Sequence, residues 1–88
     1  GARKHFQKAL QISKEIGYRL GEAAALNNLG NVLRLKGNLK GALIYYQDAL
    51  ALFRTIRAER EIGLVEKVIA EVEAAMKKQK GPDSSGKD

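Results

Sequence analysis

Hydrophobic residues recur along the chain at intervals of three and four positions, which predicts amphipathic α-helices. The first such segment covers residues 2–16. Its apolar and small side chains form one stripe, made of Ala2, Phe6, Ala9, Leu10, Ser13 and Ile16. Gly17 follows where a residue with left-handed backbone dihedrals commonly ends a helix. The pattern therefore predicts a first helix that ends at Gly17.

A second and a third helix are predicted on either side of Gly37. The second begins at Glu22, after a short connection over residues 18–21, and ends at Leu35. The third follows Asn38, a residue type that caps helix N-termini well. It presents a single apolar face, which consists of Leu39, Ala42, Leu43, Tyr46, Ala49, Leu50, Phe53 and Ile56.

A fourth helix is predicted over residues 59–78. Its apolar residues are Ile62, Val65, Val68, Ile69, Val72, Ala75 and Met76. Residues 80–88 contain Gly, Pro and two consecutive Ser but no apolar side chain that could join a core. We therefore expect a helical domain over residues 1–79 and a disordered tail over residues 80–88.

The junction between the third and fourth helices leaves two alternatives open. Neither Gly nor Pro occurs between Asp48 and Ile62, and residues 57–61 are good helix formers. Packing of the fourth helix on the third favours a monomer with a turn near Arg57–Glu59. Helix propensity favours one continuous helix, whose apolar face would then need a second chain and give a domain-swapped homodimer. Independently of this junction, the first helix lacks a preceding partner helix, so a dimer that forms end to end is a further alternative.

The centre of the chain predicts a close contact between the second and third helices. Leu26, Leu29 and Leu33 share one face of the second helix with Gly30. Because Gly30 has no side chain, another helix can approach its backbone closely. On the third helix, Tyr46 is predicted to fill the space beside Gly30. It lies between two small residues at one-turn spacing, Ala42 and Ala49.

An internal repeat links the first and third helices. Four positions recur with a spacing of 40 residues: Ala2, Phe6, Ala9 and Leu10 become Ala42, Tyr46, Ala49 and Leu50. With the Leu-Gly pair of the second helix, this pattern resembles the tetratricopeptide repeat family. The chain departs from the family pattern at four positions. Leu26 stands where the family has Trp, Leu33 where it has Tyr, and Tyr46 where it has Phe. Arg54 lies near the position of the proline that usually closes the second helix.

The 40-residue unit is similar to that of the Pins-type subclass, as are the motifs over residues 12–17 and 28–31. The resemblance implies an all-α fold of about four helices, in which antiparallel helix hairpins stack as a right-handed superhelix. The first helix would be the second helix of a repeat, so we expect the chain to be part of a longer protein. The family also implies protein–protein interaction through a concave groove lined by the first helix of each unit.

Asn27, Asn31 and Arg34 are the candidate binding residues. At about 100° per residue they fall within about 60° of one another, beside the apolar stripe of the second helix. Asparagine amides can pair with a peptide backbone, and an arginine can bind a carboxylate with two hydrogen bonds. By resemblance, such groove residues hold peptides. The alternative interpretation is that they are only solvated polar residues.

Catalytic and metal chemistry have little support. The chain has no cysteine, and its single histidine, His5, has no second histidine with which to bind a metal. We therefore expect no enzyme activity, no catalytic or metal site and no cofactor. The absence of cysteine is typical of a reducing compartment, so we expect a cytoplasmic location. No apolar run approaches the roughly 18 residues of a membrane span, so no membrane partner is expected.

Charge is distributed unevenly. Residues 1–20 carry five basic residues and one acidic residue, a net charge of +4, whereas residues 58–76 carry a net charge of −3. The basic residues of the first helix are scattered rather than aligned, which argues against nucleic-acid recognition. The sequence thus favours a module that binds a protein, a peptide or a partner helix. The alternatives are a purely architectural repeat segment and a self-association unit of a longer repeat protein.

Overall fold

The fold is all-α and consists of four helices in a row. The structure, a computed structural model, describes the backbone of residues 1–86 and the side chains of residues 1–79. The helices are α1 (Ala2–Ile16), α2 (Arg19–Leu35), α3 (Leu39–Thr55) and α4 (Glu59–Gly86). Short turns make successive helices antiparallel, and α1 packs against α2, α2 against α3, and α3 against α4.

The three turns share one hydrogen-bonding pattern, repeated at intervals of 20 residues. Each turn contains one residue with positive φ: Gly17 at 72°, Gly37 at 85° and Arg57 at 58°. The N–H of that residue donates to the carbonyl three positions back, and the next N–H donates to the carbonyl five positions back. These two bonds define the Schellman cap, which satisfies carbonyls that the helix end leaves without partners.

The chain turns between α3 and α4 near Arg57–Glu59, which is the first of the two alternatives that the sequence left open. Arg57 adopts the left-handed backbone conformation that Gly17 and Gly37 adopt in the earlier turns. This conformation brings the Cβ of any non-glycine residue close to its own backbone, at a cost of roughly 1–2 kcal/mol. Packing of α4 on α3 thus prevails over the local preference for a continuous helix within this chain.

The core lies mainly between α2 and α3. Buried apolar side chains from these helices are Ala23, Ala25, Leu26, Leu29, Leu33, Ala42, Tyr46, Ala49 and Phe53, joined by Val65 and Val72 of α4. In α1, Ser13 is the buried residue, and Phe6, Ala9 and Leu10 are half-buried. The predicted apolar stripes of α2 and α3 are therefore the faces that pack.

Two predicted boundaries were wrong. Helix α2 begins at Arg19 rather than Glu22, because the Schellman cap needs only Gly17 and Tyr18 before the next helix starts. Gly21, predicted as part of the connection, lies inside α2. A Cβ at this position would be 2.6 Å from Cδ2 of Tyr18 and 2.7 Å from Oγ of Ser13. This glycine therefore allows α2 to start close to the end of α1.

Helix α4 continues to Gly86, although its predicted end was near Lys78. Residues 74–79 are strong helix formers, which favours extension beyond that point. The side chains of residues 80–88 and the backbone of residues 87–88 lie outside the described part of the chain. A domain boundary at residue 80, with a disordered tail after it, stays a prediction.

Candidate functional site

Asn27, Asn31 and Arg34 lie at intervals of four and three residues on α2, so they follow one line along that helix. Asn31 is exposed, while Asn27 and Arg34 are half-buried. Beside this line, the apolar stripe of α2 is buried against the neighbouring helices. The three polar side chains therefore border the core and can contact both solvent and the adjacent helices.

Tyr46 of α3 links the core to this polar line. Its residue surface is 0% exposed, and its hydroxyl donates a hydrogen bond to Oδ1 of Asn31. A hydroxyl at the edge of the core needs such a partner, because burying it unpaired would cost about 1–3 kcal/mol. The bond orients the amide of Asn31 through its Oδ1 atom, and because the residue is exposed, its Nδ2 group can still donate to a ligand.

Arg34 connects α2 with α4. Its Nη2 atom lies 3.2 Å from Oε1 of Glu71, and the two side chains are 38% and 49% exposed. Ion pairs this exposed stabilise a fold by only about 0–1 kcal/mol, because water screens both charges. Glu71 can therefore give up the guanidinium to another carboxylate at little cost to the fold.

The same guanidinium affects the tyrosine. Burial raises the pKa of Tyr46 above its ordinary value of 10.0, because removal from water disfavours the charged phenolate. The positive charge of the nearby Arg34 acts in the opposite direction, with a smaller effect on the pKa. Tyr46, Asn31 and Arg34 therefore form one polar cluster, to which Glu71 is attached through Arg34.

Two members of this cluster were missed at the sequence level. Tyr46 was predicted as a core residue, which is correct for its ring but overlooks its hydroxyl. The choice of Tyr where the family pattern has Phe was an available signal, because a buried hydroxyl needs a partner. Glu71 had no comparable signal, since its pairing with Arg34 depends on how α2 and α4 are arranged around α3.

A shallow depression lies near the C-terminal end of α2. It is lined by Gly37, Asn38, Leu39, Lys40, Met76 and Gln79. Asn38 caps α3 as predicted, and its Oδ1 accepts a hydrogen bond of 2.9 Å from the N–H of Gly41. The Asn38 side chain at this depression therefore already has a structural role.

None of the helices in the described part is both long and apolar enough to span a membrane. Among the residues whose side chains are described, no three His, Cys, Asp or Glu side chains are placed so that they could share a metal ion.

Comparison with known proteins gives one match. The family model for the tetratricopeptide repeat matches residues 1–55, which contain α1, α2 and α3. No match was found among curated proteins or among solved structures. The matched region covers more than half of the chain and includes the contact between Gly30 and Tyr46 on which the resemblance was based. The chain therefore belongs to the tetratricopeptide repeat family.

Proposed function

We propose that this chain is a protein–protein interaction module that holds an acidic peptide or partner helix along α2 and α4. The observation that carries the proposal is the cluster of Asn31, Arg34 and Tyr46. Asn31 is oriented by Tyr46, and Arg34 is held beside it by an ion pair that a ligand can replace. Membership of a non-catalytic repeat family that serves as interaction scaffold supports the same class of function.

Recognition would rest on three contributions. Apolar burial would supply most of the free energy of binding. Arg34 would leave Glu71 and form a charge-assisted pair with a ligand carboxylate. The amides of Asn27 and Asn31 would hydrogen-bond the ligand backbone and set its register. Part of this proposal is membership of the 40-residue Pins-type subclass, which the spacing of 40 residues between the caps at Gly17 and Arg57 supports.

A peptide titration followed by amide chemical shifts tests the groove. The probes are short peptides of one sequence that end either in two glutamates or in two glutamines. We expect the acidic peptide to shift the resonances of Asn27, Asn31 and Arg34. Arg34→Ala should weaken binding by about tenfold or more, the loss of one charge-assisted pair. Glu71→Gln should strengthen it, because the competing carboxylate is gone.

Arg54→Ala is the matched control. Nη2 of Arg54 lies 2.7 Å from Oε2 of Glu66, so it too forms an exposed ion pair between neighbouring helices. This variant should bind the peptide as the unmodified chain does. Equal losses of peptide affinity for Arg34→Ala and Arg54→Ala would mean that binding depends on net charge rather than on a specific contact of Arg34. An absence of shifts on α2 with either peptide would instead favour a purely architectural segment.

A further inference from the structure

Antiparallel packing brings parts of all four helices to one end of the row, which we call the Gly37 end. Helices α1 and α3 begin at this end, and α2 and α4 run towards it. Met76 and Gln79 of α4 line the same depression as Gly37 and Lys40, so this part of α4 lies beside the turn between α2 and α3. The half of the structure nearer to that turn consists of residues 1–8, 27–47 and 64–79.

The net charge of the described side chains lies in this half. Its three segments contain nine basic and three acidic residues, a net charge of +6. The other segments, residues 9–26 and 48–63, contain five basic and five acidic residues and are neutral together. Residues 80–88 contain two of each, so they do not change the balance. The fold thus gathers at one end the basic residues that are scattered along the sequence.

Exposed lysines adjoin the depression at the Gly37 end. Lys40 lines it, Lys36 precedes Gly37, and Lys77 and Lys78 lie between two lining residues of α4. All four lysines are exposed, and within residues 1–79 none of them is in an ion pair. Their ammonium groups are therefore accessible to carboxylates of another molecule.

The depression also has an apolar part. Leu39 and Met76 contribute it, and both are half-buried. Leu35, which is 88% exposed, lies two residues before Gly37. No aromatic side chain lines the depression, whereas sites for single-stranded nucleic acid stack bases on aromatic rings. The depression thus suits an apolar side chain better than a base.

We propose that the Gly37 end is a second interaction surface, which binds an acidic segment of a partner protein that carries a bulky apolar side chain. That side chain would be buried against Leu39 and Met76, and carboxylates on either side of it would pair with the lysines. Charge complementarity favours this class of partner. The surface includes none of the groove residues Asn27, Asn31 and Arg34, so it goes beyond the peptide groove and is tested separately.

A fluorescein-labelled peptide with glutamates on both sides of a central leucine tests the surface. We expect it to shift the amide resonances of Gly37, Lys40 and Gln79. High salt should weaken binding, because it screens the attraction between the charges. A peptide with serine in place of the leucine should bind about tenfold more weakly or worse, because the apolar contact is lost.

Lys40→Glu should lower the affinity by about tenfold or more, because it sets a like charge against the glutamates. An acidic residue in the first turn of α3 is favourable for the helix, so this variant should fold. Lys14→Glu is the matched control: it changes the net charge equally, at an exposed position of α1 outside the Gly37 half. It should lower the affinity only slightly. Arg34→Ala should leave the shifts of Gly37 and Gln79 unchanged, which separates this surface from the groove.

Four results would overturn the proposal. Equal losses for Lys40→Glu and Lys14→Glu would mean that binding depends on net charge alone. Equal affinity for the leucine and serine peptides would remove the apolar contact. An absence of shifts around Gly37 would place the peptide elsewhere. Tighter binding of an oligothymidylate or of phosphatidylserine vesicles than of the acidic peptide would assign the surface to nucleic acid or to a membrane instead.

Discussion

The ring of Tyr46 lies directly against the backbone of Gly30. A Cβ atom at position 30 would be 2.7 Å from Cε1 and 2.8 Å from Cδ1 of that ring. Real Cβ atoms do not approach other atoms this closely, so a side chain at position 30 would force the two helices apart. The pair explains how the backbones of α2 and α3 can approach each other closely.

Gly30→Ala should therefore destabilise the protein. The Tyr46 ring is fully buried, so a side chain pressed against it should cost about 1–3 kcal/mol. Urea unfolding monitored by circular dichroism measures the change.

Gly63→Ala is the matched control for that variant. Gly63 also lies within a helix, but a Cβ there would have no atom within 4 Å. Alanine should stabilise α4 by about 0.5–1 kcal/mol through its better helix propensity. If both variants shift stability in the same direction, the contact between Gly30 and Tyr46 is not the cause.

Arg57→Gly should stabilise the chain. Arg57 has a φ of 58°, which glycine adopts without strain. Relief of that strain should outweigh the larger entropy of glycine in the unfolded state and leave a gain of up to about 1 kcal/mol. A higher thermal midpoint is the expected observation.

Gly37→Ala introduces a side chain at the equivalent position of the preceding turn, so it tests the same backbone strain. Gly37 has a φ of 85°, and a Cβ there would meet no atom within 4 Å, so any loss comes from the backbone. The expected loss is about 1 kcal/mol. A neutral Gly37→Ala together with a destabilising Arg57→Gly would mean that Arg57 stabilises the turn through its side chain.

Stability should depend on pH through Tyr46. Its pKa in the folded chain is raised above 10.0, so the folded protein holds the phenolic proton more tightly than the unfolded chain does. The resulting contribution is fully present below pH 10.0 and is lost as pH rises through the folded-state pKa.

Tyr46→Phe removes this dependence. The difference in unfolding free energy between the two proteins should be constant at neutral pH and should change above pH 10.0. Using the difference cancels every contribution that the two proteins share. A difference that stays constant throughout would place the hydroxyl in contact with water rather than at the edge of the core.

The helix order and the central packing could be predicted from the sequence because they follow from local patterns. Apolar periodicity located the faces of α2 and α3, and Gly30 with Tyr46 predicted their contact. The left-handed conformation of Arg57 could not be deduced, because local propensity favoured a helix and long-range packing of α4 prevailed. The pairing of Arg34 with Glu71 could not be predicted from the sequence either, since the two residues meet only after α2 and α4 have both packed on α3.

The recurrence of one cap every 20 residues gives the protein the energetics of a one-dimensional array. Each helix is stabilised by its immediate neighbours, so cooperativity passes along the row from helix to helix. Local unfolding of such a row begins at its outer helices. Helix α1, with Ser13 as its buried residue, should exchange its amide hydrogens well before α2 and α3 do. Lengthening the row at either end would then slow exchange throughout, because an outer helix would have become an inner one.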